Sequence, residues 1–121
     1  MATPQVIEDA VIEFDLAEVS VRELNQQLHE AGGGRVLIRS PGGKHSIGVG
    51  LDAPFDVEIH GHVGYYCAGM NKHAIVQIHG NCGVGVAENM MSGTVIVDGS
   101  ASQSAAATAR GGLLVINGDA S

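Results

Sequence analysis

A short apolar motif that ends in glycine recurs along this chain at a fixed interval of 19 residues. The clear copies are VEIHG at 57–61, VQIHG at 76–80, VIVDG at 95–99 and LVING at 114–118, and a weaker copy, IRSPG, lies at 38–42. Repeats of about this length are typical of solenoids, in which each unit buries its apolar face only by stacking on its neighbours. This period constrains the fold more than any other feature of the chain.

Each copy opens with a β-branched run and breaks at glycine, which predicts an all-β fold, a parallel β-helix with one 19-residue coil per repeat. Equivalent positions then stack about 4.8 Å apart and form columns along the axis. Because strand side chains alternate, two columns should face the core and the column between them should face outward. The predicted inner columns are Ile38, Val57, Val76, Val95, Leu114 and Ser40, Ile59, Ile78, Val97, Ile116.

The outward column changes character along the predicted β-helix. It runs through Arg39, Glu58, Gln77, Ile96 and Val115, so it becomes apolar toward the C-terminus. An apolar outer surface is expected where another protein covers it. Ile96 and Val115 are therefore a candidate partner face.

Two further columns consist of small residues. A glycine ends every copy of the motif, and positive φ at each coil corner would explain it, because glycine adopts that conformation without steric cost. The predicted turn glycines are Gly42, Gly61, Gly80, Gly99 and Gly118. Ala68, Ala87 and Ala106 form an inner column, which predicts a narrow coil.

Residues 1–34 lack the repeat and form a separate lead-in to the β-helix at 35–121. A short strand is predicted around residues 11–14. Ser20 and Glu23 then form a capping box before an amphipathic helix that ends at the glycines 32–34. Such a helix is expected to cover the open end of the β-helix, and docking on a partner is the alternative.

Composition excludes several classes of partner. The chain has 13 acidic and 6 basic residues, no Trp, two Tyr and two Phe, so a nucleic-acid partner is not expected. It contains no long apolar run and no signal peptide, which predicts a cytoplasmic protein without a membrane association.

Cys67 and Cys82 lie 15 residues apart, in different columns. They are predicted to be free thiols, with a disulfide as the minor alternative.

Histidine is the residue type that could carry chemistry here. His60 and His79 occupy equivalent positions in successive coils, and His62 follows His60 by two residues, so the three could bind a metal. The alternative is a stacked polar ladder that Asp98 and Asn117 continue. We favour the ladder, because no acid is expected in register with the histidines. No nucleophile and base pairing is visible either, so the sequence predicts no catalytic, cofactor-binding or metal residues.

The segment GHVGYYCAGMNKHAIVQIHGNCGVGVAENMMSGTVIVDG, residues 61–99, resembles a known family. It is similar to the glycine-repeat (GXGXG) β-helix domain that ends the large subunit of glutamate synthase. Among that domain's relatives it is most like the separate small subunit of N-methylglutamate synthase, an enzyme whose glutamate synthase domains are split over several chains. DLAEVSVRELNQQLHEA at 15–31 and VGLDAP at 49–54 also resemble that small subunit. A more distant resemblance is to the subunit of formylmethanofuran dehydrogenase that shares the repeat.

The resemblance implies a right-handed β-helix that packs between a glutaminase-type amidotransferase subunit and an FMN-binding, iron–sulfur synthase subunit. The catalytic residues and cofactors then lie in those partners, and this chain is a non-catalytic scaffold. Relatives continue through further coils, whereas this sequence stops three residues after Gly118, so it is expected to be a fragment. The alternative function is a self-assembling β-helix with a metal site at His60, His62 and His79, similar in principle to hexapeptide-type carbonic anhydrases.

Overall fold

A computed structural model of the chain describes residues 11–101 and 105–119. The described elements, in chain order, are β1 Val11–Asp15, α1 Val21–Ala31, β2 Gly34–Arg39, β3 Phe55–His60, β4 Ile75–His79, β5 Thr94–Val97 and β6 Leu113–Ile116. Every neighbouring pair of strands is parallel, and the order in the sheet is the order in the chain. The predicted parallel β-helix is confirmed.

The strand side of the β-helix follows the predicted alternation in β3, β4 and β5, whereas Leu114 and Ile116 of β6, predicted to face the core, are half-buried. Val57 pairs with Val76 and Val76 with Val95, and all three side chains are buried. The second inner column is equally buried in these strands. Its members are Ile59, Ile78 and Val97. Stacked aliphatic side chains therefore form the core, as a chain with few aromatic residues requires.

The register of the first coil differs from the prediction. Val36 pairs with Val57 and Ile38 with Ile59, so β2 and β3 are offset by 21 residues rather than 19. The pairing of Ile38 with Val57 was therefore wrong. A shift of two residues keeps the same side chains facing inward, so the apolar alternation tolerates it.

Two column assignments change with this register. Leu37, not Arg39, precedes Glu58 in the outward column, and Arg39 pairs with His60. Ile38 takes the inner position that had been assigned to Ser40, which is exposed and has φ of 58°. A polar serine thus stays out of the core, and the longer loop after β2 absorbs the two extra residues.

The repeated glycine has a different physical cause in most coils from the one predicted. Gly42 and Gly61 do have positive φ, but Gly80, Gly99 and Gly118 do not. At those three positions a Cβ would overlap the carbonyl group of the equivalent glycine one coil earlier. Close stacking of backbone on backbone, not a left-handed turn, requires glycine there.

The segments that connect one strand to the next form the other side of each coil, which we call the turn side. This side contains left-handed residues that are not glycine. Ala68, Ala87 and Ala106 have φ of 54°, 55° and 53°. Their backbone N–H groups donate to carbonyls of the preceding coil, at 2.9, 2.9 and 2.7 Å. Ala68 and Ala87 are fully buried, as predicted for an inner column. Ala106 is half-buried. A larger side chain at Ala68 or Ala87 would have to displace its packed neighbours.

The N-terminal strand and helix are present as predicted, and β1 belongs to the same sheet as the coils. The Ser20 and Glu23 capping box forms, and Gly32 ends α1 with φ of 75°. Asn25 fixes the helix on the first coil, since its side chain donates to the Ser46 carbonyl and accepts from Gly48 N–H, both at 2.9 Å. α1 thus connects β1 to β2, as the turn-side segments connect the later strands.

Candidate functional site

Two histidines stack on the outer surface where β3 and β4 end. His60 and His79 are paired in register, and their ring centroids are 4.7 Å apart with 23° between the ring planes. The parallel ladder fixes this spacing, because equivalent residues of adjacent strands lie about 4.8 Å apart. Their predicted equivalence is confirmed.

Acidic side chains lie against this histidine pair, contrary to prediction. Glu58 Oε1 is 3.0 Å from His79 Nε2 and 3.5 Å from His60 Nε2. Asp98 Oδ2 is 3.3 Å from His79 Nδ1. The period-two alternation of β3 puts Glu58 on the same outer face as His60, and this signal was present in the sequence. We call Glu58, His60, His79 and Asp98 the acid–histidine ladder.

Asp98 is held in place by two side-chain amides. Gln77 Nε2 donates to Oδ2 and Asn117 Nδ2 donates to Oδ1, each at 2.8 Å. These hydrogen bonds, Asn117 first and then Gln77, lower the pKa of Asp98 below its usual value. Asp98 is therefore ionised at neutral pH, and its Oδ2 lies 3.3 Å from His79 Nδ1. The hydrogen bond of the His79 ring itself is to Glu58, through Nε2.

His62 does not join the ladder. Its Nδ1 accepts a hydrogen bond from the backbone N–H of Asn81, at 2.9 Å. His62 therefore holds the segment that follows β4. The three side chains whose ligand atoms lie within 4.8 Å of one another are Glu58, His60 and His79. The structure thus brings together two of the three histidines that could bind a metal, and adds a carboxylate.

The outer face of the sheet is apolar near its C-terminal end. Ile96 pairs with Val115 in the outward column, and both side chains are half-buried. Ile75 and Leu113 lie in the neighbouring outward column, 47% and 56% exposed. Sequence reasoning missed these two because they stand just before the repeated motif. We call these four residues the apolar sheet face.

A groove of about 550 Å³ lies on the turn side of the coils, and its lining is mostly apolar. His45 and Tyr65 stack on one wall with centroids 3.7 Å apart, and Tyr66 and Val84 also line it. Sequence reasoning did not predict this groove. A groove with aromatic walls can receive an apolar side chain or small molecule, but no reactive pair of groups identifies a reaction.

Both cysteines are buried and free, as predicted. Burial raises the pKa of Cys82 to about 12 and raises that of Cys67 as well, so both are neutral thiols at pH 7. They are therefore poor nucleophiles and poor metal ligands. Within the part of the chain that the structure describes, no helix has the length and apolar character needed to cross a membrane.

Comparison with known proteins finds one curated relative. The chain is similar to Protein GlxC of Rhizobium meliloti (strain 1021), with 51% identity over 62 residues. The matched region is 48% of this chain, and it spans 27% of the length of Protein GlxC. No model of a known protein family matches the chain, and no solved structure matches it.

Proposed function

We propose that this chain is a non-catalytic scaffold subunit of a glutamate synthase-like amidotransferase complex of the N-methylglutamate synthase type. It packs between a glutaminase-type subunit and an FMN-binding, iron–sulfur subunit. The resemblance of residues 61–99 to the glycine-repeat domain of glutamate synthase supports this proposal. The similarity to Protein GlxC over about half of the chain also supports it.

The apolar sheet face is the observation that carries the proposal. Single exposed apolar residues are common on protein surfaces, but here four exposed or half-buried ones lie on three successive strands, around Thr94. Full burial of one such side chain contributes about 1.5–3 kcal/mol. Ile75 and Leu113 are about half exposed, so a partner surface that covers them would gain part of this energy from each.

The chain's own residues do not fit an iron–sulfur cluster. Such clusters are held by cysteine thiolates, usually about four of them. This sequence contains two cysteines, and burial keeps both in the thiol form at neutral pH. The proposal therefore assigns the cluster and the flavin to a partner subunit, and gives this chain a structural role.

Affinity purification of the tagged chain from its native cells tests the proposal. We expect a glutaminase-type and a flavin-binding chain to co-purify in stoichiometric amounts, with flavin absorption in the eluate. Leu113→Lys should reduce their recovery, because it places a charge on the apolar sheet face. Met91→Lys is the matched control, since Met91 is 47% exposed and lies outside that face. Purification of the chain alone, or equal recovery with both variants, would contradict the proposal.

A further inference from the structure

We propose that the acid–histidine ladder binds a divalent transition metal, with Glu58, His60 and His79 as ligands. Asp98 acts as a positioning residue that orients His79. The inference concerns the isolated chain and does not depend on the proposed complex. Its basis is the convergence of three side chains, together with the arrangement of carboxylates around one imidazole.

The distances between the ligand atoms fit a single ion. Imidazole nitrogen and carboxylate oxygen bind Zn²⁺ at about 2.0–2.2 Å, which puts neighbouring ligand atoms of one ion about 3.0–3.5 Å apart. Glu58 Oε1 lies 3.0 Å from His79 Nε2 and 3.5 Å from His60 Nε2. The three ligand atoms all lie within 4.8 Å of one another, so rotation of the two stacked imidazoles toward a common point would let one ion contact all three.

The backbone prepares this arrangement. Glu58 and His60 are two residues apart on β3, so they share the outer face, and His79 is the register partner of His60 on β4. Backbone hydrogen bonds between β3 and β4 hold the two strands in this register. Only side-chain rotamers remain to be ordered when a metal binds, which lowers the entropy cost of binding.

His79 lies between two carboxylates, an arrangement that favours a bound cation. Asp98 Oδ2 faces its Nδ1 at 3.3 Å and Glu58 Oε1 faces its Nε2 at 3.0 Å. The His79 ring makes its hydrogen bond to Glu58, through Nε2. A metal ion that binds Nε2 and Glu58 Oε1 would replace this hydrogen bond and leave the ring N–H on Nδ1, beside Asp98.

The position of Asp98 beside His79 Nδ1 suits a metal-binding histidine. In such sites the nitrogen that does not bind the metal donates its N–H to a carboxylate, which fixes the tautomer and the ring orientation. Asp98 Oδ2, 3.3 Å from Nδ1, is placed to supply that carboxylate once a metal holds Nε2. The two carboxylates also favour a cation at this site.

The donor set and exposure indicate the class of metal. Two imidazoles and one carboxylate suit Zn²⁺ and Fe²⁺, and a three-ligand site leaves at least one position for water or another ligand. The three ligand side chains are 32% to 50% exposed, so solvent reaches the site. The inferred site is therefore open rather than a closed structural one.

Metal titration of the purified, chelator-treated chain tests this inference. We expect one Zn²⁺ per chain with a dissociation constant of about 10 μM or lower, measured by calorimetry. His79→Ala and His60→Ala should each weaken binding by about 100-fold or more, and Glu58→Gln by about tenfold or more. A parallel anaerobic titration with Fe²⁺ should give affinity at least about tenfold weaker, following the usual order of divalent metals. Fe²⁺ affinity equal to or tighter than that of Zn²⁺ would overturn Zn²⁺ as the preferred ion.

A matched control removes a histidine from elsewhere on the surface. His73 is exposed with φ of 69°, a conformation that asparagine tolerates, so His73→Asn should leave the affinity unchanged within about twofold. Circular dichroism checks that each variant folds. If His79→Ala does not fold, the more exposed His60→Ala and the isosteric Glu58→Gln decide the question.

Asp98 requires a readout that reports on His79 itself. Asp98→Asn should weaken Zn²⁺ binding by about 10–100-fold, as losses of such carboxylate partners do. The ¹⁵N chemical shifts of the His79 ring should show a proton on Nδ1 and none on Nε2 in the metal-bound chain. Binding well below one equivalent, binding that survives His79→Ala and His60→Ala, or equal loss with His73→Asn would overturn the inference. The acid–histidine ladder would then be a hydrogen-bonded network only.

Discussion

The two sides of each coil keep the same 19-residue period by different physical means. On the strand side, β3 to β5 alternate between buried aliphatic and outward side chains, and burial of Ile78 and its column sets the register. On the turn side, Ala68 and Ala87 adopt left-handed backbone conformations that recur from coil to coil. Side-chain volume thus specifies one side and backbone conformation the other. Removal of side-chain atoms should therefore be costly on the strand side and tolerated on the turn side.

The largest effect is expected for a cavity on the strand side. Ile78 is fully buried in the middle of the sheet, so Ile78→Ala should lower the free energy of unfolding by about 2–5 kcal/mol. Ile75→Ala on the same strand is the control, and it should cost far less because the side chain is half exposed. Urea denaturation measures both. Equal losses would show that burial does not distinguish these positions.

A smaller effect is expected where backbone stacks on backbone, at the boundary between the two sides. Gly80→Ala puts a methyl group against the Gly61 carbonyl and should cost about 1–3 kcal/mol. Gly43 has φ of 72° and open space around it, so Gly43→Asn should change stability by less than about 1 kcal/mol. Thermal melts of the two variants provide the comparison. A harmless Gly80→Ala would mean that the coils can separate locally at that point.

On the turn side, removal of a side chain should be tolerated. Ala87→Gly loses one buried methyl group and relieves a left-handed alanine of φ 55°, so its stability should stay within about 1 kcal/mol of the wild type. Ala87→Val should be clearly destabilising, because a β-branched residue fits neither the conformation nor the space. Urea denaturation compares both variants with the wild type. If Ala87→Gly costs as much as Ile78→Ala, backbone conformation is not what specifies the turn side.

The smallest effect is a dependence of stability on acidic pH, and it comes from Asp98, which follows β5 on the strand side. The pKa of Asp98 is lower in the folded chain than its ordinary value of 3.8, because Asn117 and Gln77 donate hydrogen bonds to the carboxylate. The resulting stability is present above about pH 4 and is lost as the pH falls through the folded pKa. Asp98→Asn should therefore flatten the decline of the urea midpoint between about pH 5 and 2. An unchanged decline would exclude Asp98 as a contributor.

The sequence was sufficient for the architecture because the period-19 motif and the capping box each have one structural interpretation. The first-coil register could not be read from the glycine motif. IRSPG imitates the repeat, whereas Val36 and Ile38 are the residues that pair with Val57 and Ile59. The apolar alternation survives either register, so it could not decide between them.

The candidate site shows a similar division. The stacking of His60 and His79 followed from their common column, and the outer placement of Glu58 from strand alternation. The convergence of Glu58 and Asp98 on opposite sides of His79 depends on side-chain rotamers, which a column alignment does not contain. The sequence could not show why glycine repeats either. Both close backbone approach and positive φ require glycine, so the residue alone does not distinguish them.

The proposed scaffold role is tested most directly by removing the chain from its native cells. Purification of the tagged glutaminase-type subunit from the deletion strain then shows whether the flavin-binding subunit still accompanies it. We expect the two subunits to separate without this chain, and the wild type but not Leu113→Lys to restore their association. If the two subunits stay associated in the deletion strain, this chain does not hold them together and the scaffold role is wrong.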